Sequence, residues 1–429
     1  MIVFRQKIQS LRPHFARASW AVAEQVISPL IMIALTPFLL KQLGIEQYGL
    51  WMLIMAVVGM GQLTSLGSSV ATIKHVSADL GVGRLDDAVS TIRAAITIVV
   101  IVGFITCLSL AAAAPFITKI FFSKMGQSAL VSEMLVLGAV LMFVQEIDNV
   151  FGSALRGAQR FDLSAKVEFI TRLAWALGVA LLAWYYRSIV AVISGVLLLS
   201  IIKCGVKAHI VNKIFSVSNC YKLTFQRTHL VRVANFGKWT WIQGIGGVLF
   251  SAADRLLIGS IFGAADLGRY SICVQFAQYV HIIPAAAMQV IFPWLSAKVA
   301  RGETTGKLQL YKYALYGGVL CLLLPIILFI FLPFLLTLWL GNEFYMANRA
   351  LAMILIISYG LMAFNVPAHF FLMGLGKAKF VSVSNLLAGI LTVLASLILS
   401  PLGLIWIAMS KLLFGLVIMV NFLKLRKSS

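Results

Sequence analysis

Apolar runs of about twenty residues recur along this chain with short polar segments between them. That is the length a helix needs to cross the hydrocarbon core of a bilayer. Twelve such runs can be placed, at 18–40, 48–71, 94–114, 130–151, 167–184, 188–210, 239–262, 270–294, 313–338, 350–372, 380–399 and 402–422. The pattern predicts an all-α polytopic membrane protein.

Composition agrees. The 429 residues are 61% hydrophobic and 11% charged, with a mean hydropathy of +0.98, whereas soluble chains run nearer half apolar and a quarter charged. A net charge of +21 would suggest nucleic acid in a soluble protein, but no RNA-binding motif accompanies it. The basic residues sit between the apolar runs instead. With the N-terminus placed in the cytoplasm, 26 of the 35 Lys and Arg fall on the inner side and 6 on the outer. Both termini are therefore expected on the cytoplasmic side, with the basic segments meeting anionic lipid headgroups. No outer connection has room for a folded domain. The remaining three, Arg172, Arg255 and Lys411, lie inside spans.

The five cysteines and six histidines form no CxxC, HExxH or HxxxH, so no disulfide framework, metal or other cofactor is expected. The polar N-terminus and membrane-length first run predict a retained helix rather than a cleaved signal. The basic segment 203–238, with seven basic residues and no acid, divides the chain in two. We read 1–210 as an N-terminal lobe, 211–238 as a basic cytoplasmic connection and 239–429 as a C-terminal lobe. One ungapped offset of 219 supports a repeat: it maps Trp20 to Trp239, Gly44 to Gly263, Gly49 to Gly268, Trp51 to Tyr270, Gly157 to Gly376 and Phe161 to Phe380. Six spans in each half make the repeat parallel, with a site expected between the halves near the midplane.

Three stretches carry a family resemblance: LLKQLGIEQYGLW (39–51), ADRLLIGSIFGAADLGRYS (253–271) and RGAQRFDLSAKVEF (156–169). With the six-plus-six layout they resemble the polysaccharide transporter family, the Wzx-type O-antigen flippases. The resemblance implies the MOP-superfamily fold, shared with MATE drug exporters and lipid II flippases: two six-helix bundles in a V around a cavity. The implied task is moving undecaprenyl-pyrophosphate-linked oligosaccharide, a lipopolysaccharide precursor, from the cytoplasmic to the periplasmic leaflet of a bacterial inner membrane by alternating access. Polysaccharide assembly enzymes are the implied partners. Lipid II flippases carry two further helices for which this chain has no room.

A charge near the bilayer centre costs about 2.5–3.5 kcal/mol on insertion scales, so it faces a partner or a wet cavity. Glu24 shares a stripe with Arg17, Ala21 and Ser28, beside the carbonyl that Pro29 leaves free; it reads as an ion-coupling acid or as half of a structural pair. Asp254 reads as a second coupling acid, or as part of a small-residue packing seam with Gly247 and Ser251. Arg255 is turned about 100° from it, so the two cannot serve one inward line. Lys411 has no acid in its own span; it either meets an anionic substrate or pairs across helices. Glu168 and Arg172 are spaced for a local pair, with Arg172 also a cavity candidate. Glu146 and Asp148 point to nearly opposite sides. Gln275, Gln278 and His281 line the cavity or hydrogen-bond between helices.

The first reading is thus a non-enzymatic flippase for a lipid-linked glycan. No GxxxxGK[ST] motif is present, so the drive is expected from an ion gradient (H⁺ or Na⁺), the substrate gradient or downstream consumption, with an ion gradient the first choice. A MATE-like cation antiporter predicts a cavity dominated by acids. A glycan polymerase or ligase predicts a sizeable periplasmic loop.

Overall fold

A computed structural model describes the backbone of residues 2–65, 67–125, 128–217, 219–288 and 307–427. Within those ranges, side chains are described from Ile31 onward, apart from residues 62, 125, 239, 240, 242, 243, 307, 308 and 427. The described residues form helices α1 (Ile2–Gly59), α2 (Ser68–Gly81), α3 (Leu85–Phe121), α4 (Ser128–Gly157), α5 (Phe161–Tyr186), α6 (Ile189–Ile214) and α7 (Arg227–Phe262). They continue as α8 (Ala264–Ala277), α9 (Tyr279–Met288), α10 (Lys307–Cys321), α11 (Leu323–Leu340), α12 (Asn342–Gly374), α13 (Ala378–Leu399), α14 (Leu404–Ile418) and α15 (Val420–Lys427). Among the described residues, ten helical stretches are long and apolar enough to cross a membrane. The backbone of α1 turns sharply at Gly44. This is a multi-pass membrane protein, and its outer shell is apolar: Leu177, Ile330, Leu338 and Ile398 are all exposed.

Helices of the first half pack chiefly on one another, α3 on α4, α4 on α6 and α5 on α6. Those of the second half do likewise, α13 on α7 and α14, and α12 on α10, α11 and α14. The halves meet where α1 runs against α7 and α8. The turn at Gly44 (φ 79°, ψ 168°) has the same backbone as the one at Gly263 (φ 88°, ψ −173°), in a region open essentially to glycine alone. These two residues are one repeat apart. They place the segments after them, 45–49 and 264–268, side by side at one end of the bundle, which we call the Gly44 end; the opposite end carries Gly83.

Two boundaries differ from the sequence reading. α6 continues to Ile214 and α7 begins at Arg227, so the linking segment is only 215–226. Lys203 and Lys207, which the sequence assigns to the basic connection, stand inside α6. The eighth span is broken at Gln278 into α8 and α9; its carbonyl accepts from the His281 and Ile282 amides.

Candidate functional site

α7 carries Asp254 past its middle, toward the Gly44 end. The carboxylate is 6% exposed. Its Oδ2 lies 2.8 Å from Lys411 Nζ of α14 and accepts a short hydrogen bond from Tyr270 Oη of α8. Lys411 is 1% exposed; it also donates to the Phe250 carbonyl at 3.0 Å and lies 3.9 Å above the Phe250 ring. A lysine this deep needs each of those contacts, because an unpaired buried charge is strongly unfavourable. The ion-coupling candidate Asp254 and the cavity candidate Lys411 are therefore partners of each other, tying α7, α8 and α14 together.

Arg255, one residue on, has a different fate. It is half-buried, its charge reaches Tyr48 and Tyr270, and its Nε is buried without a hydrogen-bond partner. No carboxylate among the described residues lies within 4.0 Å of it, since Asp254 turns to Lys411. It is a cation with no carboxylate partner among the described residues.

Gln275 is buried at the seam between the halves. Its Oε1 accepts from Tyr48 Oη at 2.9 Å, with Thr36 Oγ1 3.2 Å away, so it bridges α8 to α1. Gln278 is half-buried at the α8–α9 break, and His281 keeps a buried Nδ1 without a partner. Glu24 falls outside the described side chains.

A second charged group lies in the first half. Lys207 of α6, 2% exposed, reaches Asp148 Oδ2 of α4 at 2.8 Å and makes a short contact to Glu168 Oε1 of α5. Lys203 lies 2.8 Å from Asp148 and 3.7 Å from Glu168. Arg172 adds its charge to the same group. The Glu168–Arg172 pair expected from spacing is thus part of a five-residue cluster welding α4, α5 and α6. Sequence reasoning missed its two lysines because they end an apolar run and look like the start of a loop.

Two apolar crevices flank the seam. The larger, about 740 Å³, lies between α1, α3, α7 and α13, with Val57, Met60, Ser109, Phe121, Asp254 and Leu397 in its wall. Ser109, Phe121 and Leu397 are exposed, so it opens on the outer apolar shell. The smaller, about 490 Å³, is walled by Ile33, Phe276, Tyr279, Leu328 and Trp339. Phe276 and Tyr279 are one repeat on from Val57 and Met60, so these are equivalent places in the two halves. Among the described residues, only the larger has a charged one in its wall.

A family model described as polysaccharide biosynthesis protein matches residues 39–349. The chain is 24% identical over 387 residues to the uncharacterized membrane protein EpsK of Bacillus subtilis, covering 87% of this chain and 74% of that one. It is 23% identical over 364 residues to a putative O-antigen transporter of Shigella flexneri, covering 84% of each. Among solved structures, an inward-facing MATE family multidrug resistance transporter of the MOP superfamily superposes with a TM-score of 0.71 at 14% identity, covering 95% of this chain and 98% of that one. A Vibrio cholerae MATE transporter gives 0.65 at 16% identity, covering 98% of each. The fold is that of the MOP superfamily.

Proposed function

The chain belongs to the polysaccharide biosynthesis protein family, and from that premise we propose that it is a flippase for an anionic lipid-linked oligosaccharide of the undecaprenyl-pyrophosphate class. The observation that carries this reading is the charge inventory of the inter-half region. Asp254 is neutralised by Lys411, while Arg255 meets no carboxylate among the described residues. A site of that sign suits a pyrophosphate or an acidic sugar, because a guanidinium binds phosphate oxygens through paired, charge-assisted hydrogen bonds. A cation exporter calls for the reverse, an acid left open to its cargo.

In this reading the two halves rock about the seam, with the Gly44 end facing the periplasm and both termini the cytoplasm. The polar headgroup passes between the halves near Arg255. The lipid tail stays in hydrocarbon and trails through the slot between α3 and α13. An ion gradient drives the cycle.

The test is a deletion strain complemented with wild type or with Arg255→Gln. Lipid-linked repeat units accumulate on the cytoplasmic face of the deletion strain, wild type clears them, and Arg255→Gln, present at normal levels in the membrane, does not. No accumulation on deletion, together with heightened sensitivity to cationic drugs, would favour an antiporter.

A further inference from the structure

Among the buried acids, Glu146 stands apart. Asp254 is bound by Lys411, Asp148 by Lys203 and Lys207, and Asp79 by Arg232. Glu146 is 4% exposed. Among the described residues one polar side chain reaches it, Asn149, whose Nδ2 donates to Oε1 at 3.2 Å.

Its location matters as much as its isolation. A short 3-10 turn, Met60–Leu63, follows α1. A Cβ built on Gly61 in that turn would stand 3.2 Å from Glu146 Oε1 and 2.7 Å from Met142 Cγ, so the turn lies directly against the acid. Met60, Leu63, Thr64 and Met142 also wall the larger crevice. Trp241 Nε1 of α7 donates to the Leu63 carbonyl at 2.7 Å. One four-residue turn therefore touches a lone buried acid, a cavity and a hydrogen bond between the halves.

The two protonation states ask different things of this place. A neutral carboxylic acid is satisfied by Asn149 and close packing. A carboxylate here meets no cation among the described residues and needs water. Water can reach it from the crevice once the 60–63 turn moves off, and that movement takes Leu63 from Trp241. A 3-10 turn has poorer hydrogen-bond geometry than an α-helix, so it gives way more readily.

We propose that Glu146 is a proton-binding site whose occupancy latches the 60–63 turn to α7. The O–H bond of the acid breaks as the turn releases, its proton passing to water in the crevice, and re-forms as the turn closes. The other groups around it do not compete for this role. Thr64 Oγ1 donates to the Gly61 carbonyl. Asp148 is turned about 200° around α4 from Glu146, toward Lys203 and Lys207. Arg156, further along α4, bonds Ser153 Oγ. Asp79 of α2 is held by Arg232, and Asp254 of α7 by Lys411. No charged group of α1, α3, α5 or α6 among the described residues lies within 4.0 Å of Glu146.

Nothing in this geometry depends on the cargo, so the test needs none. Full-length wild type, Glu146→Gln and Glu146→Asp are placed in lipid vesicles and titrated. The infrared carbonyl band of a protonated carboxylic acid titrates in wild type and Glu146→Asp and is missing from Glu146→Gln. Amide hydrogen exchange over residues 60–65, corrected for its intrinsic pH dependence, accelerates at least tenfold across the same titration in wild type and stays level in Glu146→Gln. Trp241→Phe exchanges fast at every pH. A band that survives in Glu146→Gln, or exchange that follows pH equally in both proteins, overturns the site. Should Glu146→Gln fail to fold, wild type against Trp241→Phe decides: exchange that does not follow the band in wild type also overturns it. A failed transport assay with this titration intact would sink the flippase reading alone.

Discussion

Gly49 and Gly268 hold equivalent places in the two halves, and each lies against the other half's backbone. A Cβ at Gly49 would sit 1.8 Å from the Ala264 carbonyl oxygen, and one at Gly268 would sit 2.6 Å from that of Ile45. Ile45 and Ala264 are themselves one repeat apart, so the contact is reciprocal, like the self-complementary interface of a two-fold dimer.

A methyl group at either glycine cannot be fitted without parting the seam. Gly49→Ala, with the closer approach, should destabilise more than Gly268→Ala, within the 1–3 kcal/mol typical of overpacking. Cysteines introduced near the Gly44 end should become more reactive to a water-soluble thiol reagent in both variants. Unchanged reactivity would mean that the seam does not close that end.

The Asp254–Lys411 pair should behave as a unit. Asp254→Leu strands a lysine that is 1% exposed, and Lys411→Met strands the carboxylate; each should cost about 3–5 kcal/mol. The double variant should cost much less than the sum. Thermal unfolding in detergent of the four proteins measures the coupling, and simple additivity would show that the pair is not coupled.

In the first half, Lys207→Met should destabilise more than Lys203→Met. Lys207 is 2% exposed and touches both Asp148 and Glu168, whereas the Lys203 side chain is 20% exposed. The difference expected is about 2 kcal/mol, from the cost of uncovering a buried charge as against a partly hydrated one. Parallel unfolding curves measure it.

Cys220, in the segment joining the halves, is fully buried, and burial pushes its thiol up to about 11. Only the thiolate reacts. Maleimide labelling of Cys220 should therefore be slow near neutral pH and accelerate as pH approaches 11. Fast labelling at neutral pH would mean that this segment opens readily from α6.

Much of this fold was legible in the sequence because a bilayer leaves few options: run length gave the spans, and the offset of 219 anticipated the matching turns at Gly44 and Gly263. The site was legible only in part. Spacing separated Asp254 from Arg255 and Glu146 from Asp148 around their helices, since rotation per residue is local knowledge. It could not say that Asp254 meets Lys411, because that depends on how α7 packs on α14 across the second half. It counted Lys203 and Lys207, at the end of the span 188–210, with the basic segment 203–238 because charge usually ends an apolar run. Here α6 continues, since Asp148 and Glu168 wait on neighbouring helices to neutralise them.

α7 belongs to both halves. Its first turns are strapped to the first half, Arg232 to Asp79 at 2.7 Å and Phe236 beneath Lys74. Three turns later Gly246 lies against the backbone of Asn385 in α13, inside the second half. From Phe236 to Gly246 is ten residues, roughly 15 Å of helix, with Trp241 midway along it donating to the Leu63 carbonyl of the first half. Any swing of one half against the other is flexed into that short beam, which is anchored at both ends to different bodies. Stiffening it should slow the swing without touching a single residue that meets the cargo.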